Sequence, residues 1–134
     1  MRFRRAEWDV PMPAALRTYW DVWNAEDLDG IRPLIDACTN EQIEWVDPRD
    51  HFVGRDEFEA CVRRLKESKP NYRFEVVSAI DAHHDRLRYR WNMFSRGRVL
   101  MEGLDVVTLD DDGRLAVVEG FFGHPTPLTP GDSA

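Results

Sequence analysis

The apolar positions of the chain fall into two rhythms, helical at first and alternating later. Leu16, Tyr19, Trp20 and Trp23 are spaced i, i+3, i+4 and i+7, a single stripe of one helix. Asp9 stands where a cap is expected, and Pro11 and Pro13 occupy the first turn, where proline is tolerated. Leu28, Ile31, Leu34 and Ile35 predict the buried side of a short second helix, capped by Asp27 or Asp29. Gly30 and Pro33 weaken that helix, so it must lean on tertiary packing. A strand follows at about 42–47, and Arg49 to Val53 read as a loop. Gly54-Arg55-Asp56 opens a third helix, with Phe58, Cys61, Val62 and Leu65 as its stripe and Pro70 as its stop.

From Asn71 onward the rhythm changes to alternation. Residues 71–82, 86–95, 99–109 and 115–123 read as four strands. In the second of these, Leu87, Tyr89, Trp91 and Met93 face one way, and Arg86, Arg88, Arg90 and Asn92 the other. Ser95-Arg96-Gly97-Arg98 and Asp110-Asp111-Asp112-Gly113 supply the turns. The predicted class is α+β, a curved, mostly antiparallel sheet with three helices over one face and a pocket between the layers. One domain spans 1–123, and 124–134, rich in Pro, Thr and Gly, reads as a loosely held tail.

Composition narrows the partners. At 134 residues and 43% hydrophobic content the chain can bury a core of its own. A net charge of −7 argues against nucleic acid and anionic membranes. The opening Met1-Arg2-Phe3-Arg4-Arg5 is basic, but Glu7 and Asp9 follow where a signal peptide needs its apolar run, so a cytoplasmic protein is expected. Cys38 and Cys61 have no metal or redox spacing and read as reduced, packed thiols. His51, His83, His84 and His124 form no ligand pattern, and no metal or cofactor is expected.

Two carboxylates stand out. In the strand Ile43-Glu44-Trp45-Val46-Asp47, the first, third and fifth residues share a face, and Pro48 stops the ladder there. Asp47 therefore leaves an apolar face at a rim, as a general base or as the cap of a turn. Asp105 shares its phase with Val99, Met101, Gly103, Val107 and Leu109. If that phase faces the helices, Asp105 is a buried acid that must be hydrogen-bonded, paired or protonated, with a raised pKa. A reversed register would turn it to solvent or to an arginine of the next strand. Glu102 and Glu119 are weaker candidates because each fits an outward face. Tyr19 brings a hydroxyl into the interior, where it needs a partner.

Tyr19, then Asn24-Ala25-Glu26-Asp27-Leu28-Asp29-Gly30-Ile31, Asp47-Pro48, Asp105 and Phe122-Gly123 together resemble the Δ5-3-ketosteroid isomerases. These belong to the nuclear transport factor 2-like superfamily, which also holds the SnoaL-like polyketide cyclases. The resemblance covers about residues 12–123. It implies a cone-shaped, cystatin-like fold, often dimeric and without a cofactor. It also implies Asp47 as base, with Tyr19 and a protonated Asp105 as oxyanion donors; that isomerase is a standard worked case of a carboxylic acid kept neutral. Three features depart from the pattern. About four extra residues lie around Cys38 to Gln42. Cys61 and Val62 stand where some isomerases carry a further tyrosine. Trp20, Trp23 and Trp45 crowd a pocket built for a steroid. An epoxide-hydrolase pattern would want an arginine at Gly103.

The expected activity is proton transfer α to a carbonyl of an apolar small molecule, as an isomerase or an aldol-type cyclase. Trp20, Trp23, Trp45, Phe58, Val62, Trp91, Met101 and Phe121 are the expected pocket walls, with His51 a possible neighbour of the mouth. The rival reading is a non-catalytic pocket or interaction module, in which Tyr19 and Asp105 satisfy each other and Asp47 caps a turn. The Arg86, Arg88 and Arg90 row is a candidate face for a homodimer.

Overall fold

A computed structural model describes residues 8–131, so the basic opening Met1–Arg5 and the last three residues of the tail lie outside it. In chain order the elements are β1 (Asp9–Val10), α1 (Ala14–Trp23), a 3-10 turn (Leu28–Gly30), α2 (Ile31–Cys38), β2 (Thr39–Val46), β3 (His51–Val53), α3 (Arg55–Ser68), β4 (Tyr72–Val76), β5 (Ile80–His83), β6 (Arg86–Ser95), β7 (Arg98–Leu109) and β8 (Leu115–Phe122). The sheet runs β1-β5-β6-β7-β8-β2-β3, and β4 pairs with β6 further along the edge that β5 uses. All pairings are antiparallel except β2 with β8.

The helical stripe of α1 is buried as expected, at Leu16, Tyr19, Trp20 and Trp23. Its start differs. Pro13 is the N-cap without a side-chain bond, and Asp9 pairs with Asp81 in β1 instead of capping. Asp27 caps the 3-10 turn by accepting from the Asp29 amide at 2.9 Å. In α2 the buried side is Ile31, Ile35 and Cys38, while Leu34 points outward at 37% exposure. The extra residues around Cys38 to Gln42 become the end of α2 and the first half of β2, a longer strand than the alternation of 42–47 indicated.

Two further stretches depart from expectation. His51–Val53 is a strand rather than loop, closing a hairpin on β2 through Trp45↔Phe52. Residues 71–82 break into β4 and β5 at Val77–Ala79. There the Ser78 hydroxyl accepts from the Arg90 amide at 2.7 Å, so a side chain stands in for a ladder carbonyl. After Gly123 the chain has no regular structure through residue 129 and is exposed from His124 onward.

The core lies between the helices and the inner face of the sheet. Phe58, Phe74, Trp20 and Trp23 pack with ring centroids 5.5–5.9 Å apart, edge-on or tilted as aromatic quadrupoles prefer. Leu87, Tyr89, Trp91 and Met93 of β6 are all buried, so the predicted faces of this strand stand. The outward arginines pair within the chain: Arg86 with Asp85, and Arg88 with Asp81.

A candidate active site in the aromatic cavity

One end of the layer between helices and sheet opens into a cavity of about 350 Å³. That is the low end of the roughly 300–1,000 Å³ usual for small-molecule sites. Tyr19, Trp20 and Trp23 of α1 form one wall; Trp91, Met93 and Asp105 of the sheet form the opposite one. Trp45, Asp47 and Phe122 close a side, and Phe74 and Met101 complete the interior.

Asp47 follows the last residue of β2. Its Oδ1 accepts from the amides of Arg49 and Asp50, each at 2.8 Å, and its own amide donates to the Asp50 carbonyl at 3.0 Å. The turn-capping role is therefore real. It occupies one oxygen only, since Oδ2 makes no hydrogen bond among the described residues. Burial raises the pKa of Asp47 above the ordinary carboxylate value, and the two amides oppose that rise.

Asp105 is buried in the middle of β7, at 4% exposure. Its Oδ2 accepts from the Tyr89 hydroxyl at 2.8 Å, and its Oδ1 from Trp91 Nε1 at 2.9 Å. Desolvation pushes its pKa up to about 6, against the pull of both donors and with the help of the Asp47 charge. The raised pKa expected from the sequence is present, and hydrogen bonding accompanies it.

Glycines make this arrangement possible. Gly103 faces Trp91 across the β6–β7 ladder, and a Cβ there would overlap Cζ2 and Cε2 of the Trp91 ring. Without a side chain at 103, the indole lies flat across β7 and reaches Asp105. Gly120 sits opposite Asp105 in β8; a Cβ on it would stand 3.1 Å from Asp105 Oδ1 and 3.3 Å from Asp47 Cβ. The two acids thus approach one another over a residue that leaves the space empty.

Tyr19 is fully enclosed, and its hydroxyl oxygen accepts from Trp45 Nε1 at 2.8 Å. Its own proton has no acceptor among the described residues. Burial, then the nearby Asp105 charge, raises its pKa well above the ordinary phenol value. Among the described residues the buried indole nitrogens of Trp20 and Trp23 find no acceptor in good hydrogen-bond geometry, although they lie toward the Tyr89 and Tyr19 hydroxyls respectively.

Of the expected residues, Asp47, Tyr19, Asp105, Trp20, Trp23, Trp45, Trp91 and Met101 share this cavity. Phe58 and Val62 do not line it. Both are fully buried, and α3 turns Phe58 toward Trp23 of α1 and Phe52 of β3. Phe121 is 60% exposed on the outer face; Phe122, one residue on, takes the position by strand alternation. Tyr19 and Asp105 do not satisfy each other, since Trp45 holds the first and Tyr89 and Trp91 the second. His51 lies outside the lining and meets Glu44 Oε2 at 3.0 Å. Glu102 and Glu119 are exposed, as expected for the outer phase. Tyr89 was not expected as a partner of Asp105, although it shares the inward phase of β6. Nor was the charged rim, where Arg49, Asp50, Arg64 and Lys69 are exposed residues at the mouth.

Cys38 and Cys61 are buried free thiols, pushed up by burial to about 12 and about 11. Among the described residues no group of three or more His, Cys, Asp or Glu is placed to hold a metal ion. No helix there is long and apolar enough to cross a membrane.

A cone of three helices on a curved, unclosed sheet, with an aromatic cavity at one end, defines the nuclear transport factor 2-like, or cystatin-like, architecture. The family model of the SnoaL-like domain matches residues 16–118, and the chain belongs to that family. A candidate isomerase of the SnoaL-like family from Agrobacterium tumefaciens is 31% identical, with 82% of this chain and 95% of that one covered at a TM-score of 0.77. A candidate polyketide cyclase from Sinorhizobium meliloti is 18% identical, covering 88% and 99% at 0.66. An NTF2-like protein of unknown function from an Exiguobacterium species is 20% identical, covering 84% and 100% at 0.68. The last two share the fold. No curated protein matches the sequence.

Proposed function

We propose that the chain is a cofactor-free enzyme that moves a proton at the carbon α to a carbonyl, with ketosteroid-isomerase-like chemistry. Asp47, ionised, takes the proton through Oδ2. As the carbon–carbon double bond forms, the carbonyl electrons move onto oxygen, where Tyr19 and protonated Asp105 donate hydrogen bonds. Return of the proton at the γ carbon completes an isomerisation; attack of the enolate on a second carbonyl gives an aldol-type cyclisation. Both outcomes need the same base and the same donors.

The observation that carries the reading is convergence: a half-free carboxylate, a buried acid near pKa 6 and a hydroxyl with an unassigned proton meet in one apolar cavity. The Trp20 and Trp23 indoles, without an acceptor in good geometry among the described residues, lie on the same wall. The small volume favours a compact carbonyl compound over a four-ring steroid. A homodimer through the outer sheet face belongs to the same proposal, supported by exposed Val99, Leu100 and Phe121 and checked by sedimentation.

The deciding experiment follows the near-ultraviolet absorbance of a conjugated enone as it forms from cyclohex-3-en-1-one and, separately, from a β,γ-unsaturated steroid ketone. Turnover by the wild type that collapses in Asp47→Asn supports the reading. Equal rates in both proteins remove Asp47 as the base, and no turnover on either ketone moves the site to cyclisation or to binding alone.

A further inference from the structure

The cavity is apolar within but basic at its mouth. Arg49 comes from the β2–β3 turn, Arg64 from the C-terminal half of α3 and Lys69 from its C-cap. Among the described residues none of the three forms an ion pair, although the chain carries 25 acidic residues against 18 basic ones. Several other arginines of the fold are paired, among them Arg32 with Asp36 and Asp56, Arg63 with Glu59, and Arg88 with Asp81. Arg49 lies over the Phe122 ring, 5.5 Å from its centroid, which leans its guanidinium over the cavity wall. Against these three cations stand Asp50 at the rim and the half-buried Asp47 just inside it, which feels the Arg49 charge.

Lys69 has a reason of its own to be there, because a cation at a helix C-terminus offsets the dipole. Arg49 rests on the Phe122 ring and Arg64 lies beside the Cys61 thiol, and neither contact neutralises its charge. In a protein of net charge −7, an unpaired basic rim around an otherwise apolar hole concentrates field at the entrance and draws anions to it. Among the described residues lining the mouth, no glycine-rich loop or helix N-terminus supplies amides for a phosphate. A singly charged, planar carboxylate suits two guanidiniums and an ammonium.

We propose that the substrate is a carbonyl compound bearing a carboxylate, with the carboxylate held at the mouth by Arg49, Arg64 and Lys69 and the carbonyl inside against Tyr19. The placement of the carbonyl rests on the proton-transfer reading; the anion site does not. Charge at the mouth orients the molecule, so its apolar carbonyl end enters first.

Calorimetric titration with (4-oxocyclohexyl)acetate and with its methyl ester tests this, since the two differ in charge and little in size. The acid is expected to bind about tenfold tighter than the ester at low salt, with the advantage shrinking as screening rises. The double change Arg64→Glu with Lys69→Glu removes the advantage. Arg49→Gln reduces it, and Arg17→Glu, an exposed α1 residue outside the cavity lining, leaves it intact. An ester that binds as well as the acid, an advantage that survives the double variant, or no binding of either ketone overturns the proposal. The neutral cyclohexenone assay separates the two ideas. Turnover without acid preference overturns the anion site and spares the proton-transfer reading; acid preference without turnover does the reverse.

Discussion

Asp47 and Asp105 are the same residue type in the same cavity, raised in pKa by the same cause, and held in opposite ways. Asp47 ends a strand, and backbone amides grip one of its oxygens. Asp105 sits mid-strand, and side chains engage both of its oxygens. The first arrangement leaves an oxygen for chemistry and depends on the turn alone. The second depends on Tyr89, on Trp91 and on the absence of a side chain at Gly103. A base needs a lone pair facing the substrate; a stabilising acid needs a fixed place and a tuned proton affinity.

The sharpest way to break this contrast is Asp47→Asn. The amide oxygen still accepts from Arg49 and Asp50, so the melting temperature should barely move. Turnover of a β,γ-unsaturated ketone should fall about 10²- to 10⁴-fold, the usual worth of a general base. Gly103→Ala attacks the other acid instead. Its methyl displaces the Trp91 ring and strips a donor from Asp105, so denaturant midpoints should report a loss of about 2–4 kcal/mol.

Asp105→Asn separates stability from activity. The folded pKa of Asp105, about 6, lies above its unfolded value of 3.8. The native state therefore binds the proton more tightly, and stability falls as pH rises from about 4 to about 6, by about 3 kcal/mol from this group. Asparagine can accept from Trp91 and donate to Tyr89 without that penalty. Thermal melts across the range should lose this slope, leaving the variant more stable than wild type at pH 7. In the wild type, turnover needs Asp47 ionised and Asp105 protonated, so it should decline above about pH 6, and the variant should lack that decline. Tyr89→Phe is the gentlest test. It removes one donor, costs about 1–2 kcal/mol, and should raise the Asp105 midpoint in an NMR titration while leaving that of Asp47 nearly in place.

The helical stripes and the β6 alternation were readable because each is a periodic demand of burial, and α1 answers to it at all four positions. The position of Asp105 was readable only as a choice between two registers. From the turn, Ser95 pairs with Arg98 and Phe94 with Val99; continued unchanged, that register would set Arg88 opposite Asp105. A bulge at Leu100 shifts it by one, so Met93 meets Met101 and Tyr89 meets Asp105. One extra residue exchanges an outward arginine for a buried tyrosine. Nothing local announces such a bulge, and for the same reason Val99, counted with the apolar phase, is exposed. The β2–β3 hairpin was hidden because three residues carry too little alternation to read. The rim escaped notice because Arg49, Arg64 and Lys69 are neighbours only across the opening that the fold creates.

Four of the five tryptophans wall the cavity. An enone in that space lies among excitable indoles and dims them by accepting their energy or an electron, while Trp8, on β5's side of the sheet and outside the lining, continues to glow. The protein thus carries its own lamp and a reference lamp beside it, and occupancy becomes visible as a change in colour and brightness before any reaction product accumulates.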